Sequence, residues 1–238
     1  KGFIPPHVYD HVNKMVDKGL YDKELLEKYS KEEFEEMNGF IDHLRDMNFS
    51  YAAVKQLEGK YLVQDRVNKK VYESPQFAYL LIGAVLFADY PQHNRMKYVR
   101  RFYEAVSTFK ISLPTPIMAG VRTPTRQFSS CVLIETADTL DSINATAAAV
   151  VNYVSKRAGI GIGGGAIRAI KSKIRGGEAE HTGVIPFYKH FQTAVKSCSQ
   201  GGIRGGAATL FYPLWHLEVE SLLVLKNNKG TDENRIRH

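Results

Sequence analysis

The stretch QFSSCVLIE, residues 127–135, sets a cysteine behind two serines. The thiol at Cys131 could carry chemistry. The competing reading is packing, because free cysteine is among the most buried residue types and behaves as a small hydrophobe. At period two Ser129 shares the side of Cys131, and Ser130 faces the other side unless the backbone bulges. Two hydroxyls and a thiol make this segment polar where a core strand should be apolar. The other cysteine, Cys198, stands at a helix end before a glycine loop and reads as structural.

Two further stretches carry charge on glycine-rich backbone. In GAIRAIKSKIRGG, Arg168 and Arg175 stand seven apart between glycines. Two guanidinium forks on one loop could hold a triphosphate, or they could be solvated surface charges. In CSQGGIRGGAA, glycines surround Arg204. Glycine lets such a loop take several shapes, so one arginine could be carried to different places in a switch; a plain mobile turn is the alternative. GIGIGG, residues 159–164, has the letters of a dinucleotide fingerprint. That fingerprint needs a strand before it and a helix after it, whereas a helical pattern precedes it here. The segment therefore reads as a flexible glycine loop near a ligand.

The elements that must position these groups fall into two textures. Up to about residue 110 the pattern is helical. Val8, Val12, Met15 and Val16 form one stripe that Gly19 can end. Ser30 followed by Glu33 resembles a capping box, with Phe34, Met37, Ile41 and Leu44 as the buried face behind it. KYLVQDRVNKKVYES reads as two small strands about a polar turn. SPQFAYLLIGAVLFADY is apolar nearly all round and should be well buried, and PQHNRMKYVRRFYEAVSTF is amphipathic. ISLPTPIMAGVRTPTRQ, with three prolines and three threonines, is expected to be irregular. A strand at 128–135, helices at 140–156 and 186–198, a flexible loop SQGGIRGG, a strand AATLFY and a helix PLWHLEVESLLVL follow. Strand and helix in alternation point to an α/β arrangement with parallel strands. The domains are drawn at 1–118, helical with a small hairpin, and 119–238.

The totals bound the function. The chain has 238 residues, 44% hydrophobic and 24% charged, with two cysteines and a net charge of +7. That length allows one large domain or two modest ones. No apolar run reaches the roughly 18 residues of a bilayer span, and KGFIPPHVYD lacks the apolar centre of a signal peptide. Two cysteines make no disulfide framework, so a reducing, cytoplasmic setting is expected. The basic excess could serve nucleic acid, phosphorylated small molecules or an acidic partner. Arg168, Lys171, Lys173, Arg175, Lys189, Lys196 and Arg204 face only Glu178 and Glu180 between residues 160 and 206. Basic residues on glycine loops suit compact phosphates better than a nucleic-acid surface, which interleaves aromatics. Neither nucleic acid nor membrane is expected as a partner. With only two or three strands visible and the βα series unfinished at LLVLKNNKGTDENRIRH, the chain is expected to be a piece of a larger architecture.

SLPTPIMAGVRTPTRQFSSCVLIE, then SKRAGIGI, then IRAIKSKIRGGEAEHTG, then KSCSQGGIRGGAATLFYPLWHLEVE resemble, in one order, the large catalytic subunit of class I ribonucleotide reductase, of bacterial and phage type. The similarity runs from PPHVYDHV to the last residue. It implies a helical N-terminal domain followed by the first part of a ten-stranded α/β barrel, incomplete here. It implies reduction of ribonucleoside diphosphates to deoxyribonucleotides by thiol and radical chemistry, with Cys131 as one of two reducing thiols. Thr115, Ser130, Ala158 and Gly159 match substrate-diphosphate positions. Asp138, Thr139, Leu140, Arg168 and Arg175 match the site of a deoxynucleoside triphosphate or ATP effector. Ser199, Gln200, Gly201, Gly202 and Arg204 match the loop relaying effector identity to the substrate base, a population shift between loop shapes.

The implied partners are a second copy of the chain, a radical-generating small subunit, a thioredoxin- or glutaredoxin-type reductant and the remaining half of the catalytic subunit. Neither a bound cofactor nor a metal is expected in this chain. The pattern departs near Gly163 and Ala166, where the family has asparagine and arginine, implying a looser first loop. The radical cysteine and the second redox cysteine are expected beyond His238, and an ATP- and dATP-sensing domain before Lys1. A non-catalytic reading, a nucleotide-binding dimerisation fragment needing a second polypeptide for activity, stands beside the enzymatic one.

Overall fold

A computed structural model describes residues 4–126, 128–156, 158–200, 204–227 and 229–236. The chain divides into two compact units, Lys1–Phe128 and Ser129–His238.

The first unit is helical: α1 (Val8–Asp17), α2 (Glu24–Lys28), α3 (Lys31–Phe40), α4 (Tyr51–Lys60), the hairpin β1 (Gln64–Asp65) and β2 (Lys70–Val71), then α5 (Pro75–Leu86), α6 (Gln92–Ser107) and α7 (Thr115–Gly120). Helix α5 is the axle of the unit. Every residue from Gln76 to Ala84 is buried, as its all-round apolarity requires. The stripe Val8, Val12 and Met15 of α1 is buried too, and Gly19 takes φ +68° after the helix end. At α3 the capping box is present: Ser30 Oγ accepts from the Glu33 amide at 3.2 Å, and the Glu33 carboxylate accepts from the Ser30 amide at 3.1 Å. The same carboxylate takes a two-pronged bond from Arg95, at 2.6 and 2.5 Å.

A second buried pair, Arg122 with Glu73, is fully enclosed. Arg122 Nε donates to Glu73 at 3.0 Å, and its Nη atoms reach Glu73 and the carbonyls of Met118, Val121 and Tyr61. Glu73 also accepts from the Val63 amide at 2.8 Å and from the Tyr21 hydroxyl. Both charges are thus saturated with hydrogen bonds, the condition under which a buried ion pair is tolerable. Arg122 sits at φ +86°, a conformation a side chain rarely adopts. These contacts overdetermine it.

Three expectations change here. Helix α3 stops at Phe40, so Leu44 is 78% exposed instead of lining a buried face. Asp42 turns the chain into a short 3₁₀ segment by accepting from the Leu44 amide at 3.0 Å, while Tyr103 holds the Asp42 amide at 2.9 Å. The proline-rich stretch is not wholly irregular: it contains α7, with Pro116 in its first turn, where a missing N–H costs nothing. The helical unit also runs past 118, because Met118, Val121 and Arg122 are buried in its core.

The second unit contains β3 (Cys131–Glu135), α8 (Leu140–Ser155), β4 (Gly159–Gly163), the hairpin β5 (Lys173–Ile174) and β6 (Ala179–Glu180), α9 (Ile185–Lys196), the short pair β7 (Ser199–Gln200) and β8 (Arg204–Gly205), β9 (Ala208–Phe211) and α10 (Val219–Leu223). Three strands form a parallel sheet in the order β3-β4-β9, with Cys131 opposite Gly159, Leu133 opposite Gly161 and Gly161 opposite Thr209. Parallel neighbours joined through α8 make the α/β arrangement expected from the alternation of elements. GIGIGG is therefore not a flexible loop: its first five residues are the central strand. Ile160 and Ile162 alternate with the glycines and join Val132, Ile134 and Leu210 in a core shared with Val150, Val154, Tyr188 and Phe191 of α8 and α9.

On the opposite face Leu133 is 80% and Phe211 55% exposed. Strand β3 begins at Cys131, not at 128; Ser129 and Ser130 precede it. The expected helix 213–225 shrinks to α10, since residues 213–218 form turns. Among the described residues no helix is long and apolar enough to cross a membrane.

One stability consequence follows from His11, which is buried, stacks on Phe77 and bonds the Tyr21 hydroxyl at 2.9 Å. Burial holds its imidazole down to about 4, against an ordinary 6.5, although Glu73 pulls the other way. Between those two values the unfolded chain binds a proton that the folded chain refuses. Stability should therefore fall as pH drops through this window, by on the order of 3 kcal/mol in all, with no further loss from this group below it. Urea titrations at several pH values, compared with His11→Gln, should show the shallower pH slope in the variant.

Candidate functional site

The amino-terminal end of the sheet gathers the thiol and its neighbours. Side chains alternate along β3, so Val132 and Ile134 enter the core while Cys131, Leu133 and Glu135 stand on the open face. Cys131 is exposed in this chain and forms no disulfide. Beside it the Gly159 amide donates to the Ser130 carbonyl at 2.8 Å, which locks Ser130 and Cys131 to the start of β4. A Cβ at Gly159 would meet the Ser130 carbonyl oxygen at 3.5 Å and the Cys131 sulfur at 3.9 Å, ordinary contacts that a small side chain could make. Further along, Leu133 and Phe211 lean over Gly161 from both sides; a Cβ there would fall 2.6 and 3.2 Å from them. The two hydroxyls do not continue the strand, as period two assumed. Ser129 Oγ instead donates to the Cys131 carbonyl at 2.8 Å. Ala158 is buried, with its amide on the Tyr153 carbonyl at 3.1 Å. Thr115 belongs to the helical unit, at the first turn of α7, where its hydroxyl lies 3.3 Å from that of Tyr61.

The carboxyl-terminal ends of β3 and β4 bring a different pair together. Asp138 follows β3 and Arg168 follows β4. Asp138 accepts from the Arg168 amide at 3.0 Å and from its Nε at 2.7 Å. Nε and the main chain make these bonds, so the fork of Nη atoms is not spent on them, and it is the fork that suits an oxyanion. The crevice outside the carboxyl ends of parallel strands is where ligands bind in open α/β sheets. Thr139 turns out to be the N-cap of α8, its hydroxyl accepting from the Ser142 amide at 3.2 Å. Leu140 is exposed at the first position of that helix. Arg175 sits at φ +52° in the turn between β5 and β6. At the start of the first loop the Gly164 amide donates to the Phe211 carbonyl at 3.0 Å, and Tyr188 donates to the Gly164 carbonyl at 2.9 Å. Burial pushes the Tyr188 hydroxyl above its usual range, which keeps it a donor.

The glycine–arginine loop enters at the thiol end, because it precedes β9 and all three strands are parallel. Its flanks pair as β7 and β8, Ser199 opposite Gly205 and Gln200 opposite Arg204. Gly201 and Gly202 lie outside the described residues. Gly206 needs its missing side chain for packing rather than for mobility: a Cβ would lie 2.2 Å from the Val195 carbonyl oxygen and 2.8 Å from Val154. Cys198 is half-buried against the core of the unit. Among the described residues no cluster of three His, Cys, Asp or Glu side chains could hold a metal ion. Sequence reasoning missed His216 and Glu218, which it assigned to a helix. The local pattern gives no signal for them, because Leu214 with Leu217 and Trp215 with Val219 have helical spacing.

Two family models match in series: the all-alpha domain of ribonucleotide reductase over residues 47–126 and its barrel domain over 129–238, meeting where the two compact units divide. The chain is 74% identical, over 99% of its length, to ribonucleoside-diphosphate reductase 1 subunit alpha of Escherichia coli. It is 72% identical over the same share to the corresponding subunit alpha of Haemophilus influenzae, and 64% to that of Enterobacteria phage T4. It spans 31% of the length of each of these relatives.

Two outcomes are expected from this geometry. Cys131→Ser should change the unfolding free energy by no more than about 0.5 kcal/mol, as for other exposed positions, and a thiol reagent should label Cys131 before Cys198. Gly206→Ala should destabilise the chain by about 1–3 kcal/mol in denaturant unfolding, the usual cost of overpacking.

Proposed function

Because this chain belongs to the ribonucleotide reductase large-subunit family, we propose that it is part of a catalytic subunit that reduces ribonucleoside diphosphates to deoxyribonucleoside diphosphates under deoxynucleotide control. The observation that carries the reading is Cys131 itself, exposed on the open face of a parallel sheet instead of sealed in its core. In the reaction, two thiols lose two electrons and two protons and become a disulfide. The substrate exchanges its 2′-hydroxyl for hydrogen, and the oxygen leaves as water. Cys131 is one of those thiols. The second thiol and the radical cysteine that starts and ends the cycle come from the rest of the subunit, the radical itself from a small subunit, and the disulfide is reopened by exchange with a thioredoxin- or glutaredoxin-type dithiol.

The family resemblance assigns the substrate diphosphate to Ser130, Ala158 and Gly159 in the second unit, and gives Thr115 of the helical unit the same role. Asp138, Leu140, Arg168 and Arg175 hold a deoxynucleoside triphosphate or ATP in a cytoplasmic homodimer, and Thr139 fixes the start of α8 beside it. The Asp138–Arg168 pair supports this: a guanidinium already oriented by a carboxylate loses little freedom when a phosphate arrives. Ser199 to Arg204, at the thiol end, carry effector identity to the substrate base. A second reading, a nucleotide-binding module without turnover, draws on the Asp138–Arg168 pair, which involves no thiol.

Calorimetry should detect dTTP, dGTP or dATP binding on the micromolar scale, about −8 kcal/mol, once the dimer forms. No heat with any of the three would reject the effector site. With the remaining part of the subunit and a radical-generating small subunit added in trans, CDP should be reduced. Cys131→Ser should then lower turnover by at least about a hundredfold, because the missing electron pair has no substitute. Full activity of that variant would refute the thiol assignment, and nucleotide binding without reduction would favour the module.

A further inference from the structure

Residues 213–218 turn polar groups inward and apolar groups outward. Leu214, Trp215 and Leu217 are 73, 85 and 89% exposed, while His216 and Glu218 are buried. Burial of apolar surface selects the reverse pattern, so this segment is held by what its two polar residues grip. One oxygen of Glu218, Oε2, accepts from the Ile170 amide at 3.0 Å and from the Val184 amide at 3.0 Å. The first amide lies between β4 and β5 and the second immediately before α9, so one carboxylate oxygen ties together two points fourteen residues apart. His216 Nδ1 accepts from the Glu218 amide at 3.1 Å, which puts the ring proton on Nε2, and Nε2 donates to the Ile167 carbonyl at 3.0 Å. Gly183, at φ +97°, makes room for the carboxylate: a Cβ there would lie 2.7 Å from Glu218 Oε1.

We propose that His216 and Glu218 are positioning residues that clamp the loop carrying Arg168 and so hold its guanidinium ready for the phosphates of a nucleotide effector. The proposal rests on the effector reading of that loop. The contacts bracket Arg168 closely: the carbonyl before it is fixed by His216, its own amide by Asp138, and the amide two residues on by Glu218. The same two residues close the segment that follows β9, and β9 itself begins just after the glycine–arginine loop. One short strand therefore joins the loop at the thiol end to the clamp at the effector end.

The test uses the intact subunit that contains this chain, as its dimer with the small subunit, and reads dTTP and dGTP affinity together with CDP or ADP reduction at saturating effector. Glu218→Ala should weaken effector binding by at least about tenfold, the loss of two charge-assisted hydrogen bonds. Saturating effector should restore turnover to within about twofold, as expected when only the ready state has become rarer. Glu218→Gln keeps an oxygen acceptor in place and should stay within about threefold of the parent.

Arg168→Ala separates the two ideas. If it leaves dTTP and dGTP binding intact, the effector reading fails and the clamp falls with it. If it weakens binding while folded Glu218→Ala does not, the clamp alone is overturned. Should Glu218→Ala not fold, hydrogen exchange of the parent decides. The Ile170 and Val184 amides should be protected together and slow further with dTTP; exchange as fast as open loop amides, unchanged by dTTP, would overturn the proposal.

Discussion

The second unit depends on a division of labour within one five-residue strand. Ile160 and Ile162 of β4 bury themselves against α8 and α9, and the glycines between them present no side chain at all to the other face. A β-branched or aromatic residue would fit strand propensity better. At Gly161 it would collide with Leu133 and Phe211, which lean in from the two flanking strands. The central strand is thus the floor of the open face, and the groups with chemistry rise from its borders. Glycine in a strand ordinarily weakens it, and here it marks a close approach of neighbours.

Parallel pairing then decides which groups can be neighbours. Cys131, Ser130, Gly159 and the loop before β9 share one end of the sheet; Asp138, Arg168 and the clamp of His216 and Glu218 share the other. The proposed function asks for both: a thiol end and an effector end kept apart and still connected. Strands do both, since they separate their ends by about 3.3 Å per residue and transmit displacement stiffly.

Much of this was legible in the sequence, and the failures have identifiable causes. Helices α1, α5, α6, α8 and α9 announce themselves because one apolar stripe, or a wholly apolar surface, is long enough to outweigh local ambiguity. The Ser30–Glu33 box and the hairpin of β1 and β2 rest on local hydrogen-bond and turn chemistry, which sequence shows directly. The misreadings fall where long-range contacts overrule local preference. GIGIG looked like a loop because glycine favours loops, yet its isoleucines needed a core that only α8 and α9 supply. Leu44 looked buried because it continues a stripe, but Asp42 and Tyr103 end the helix first. His216 and Glu218 looked helical because nothing nearby in the chain reveals that Ile167, Ile170 and Val184 are their partners. At the site, Cys131 and Arg168 were visible as residue types; the bond of Arg168 to Asp138, thirty positions away, was visible only in the fold.

The enclosed Arg122–Glu73 pair also limits how this sequence can diverge. Replacing either member alone strands the other's charge in the core at a cost of about 3–5 kcal/mol, a large part of what a domain of this kind has to spare. A hydrophobic couple of matching volume could serve as well, but only if both positions changed in one step. Mutational drift proceeds one residue at a time, so the intermediate is a protein that barely folds. The two residues are therefore bound in their histories as well as in space, and a lineage can hold this salt link unchanged without its being the best interior available.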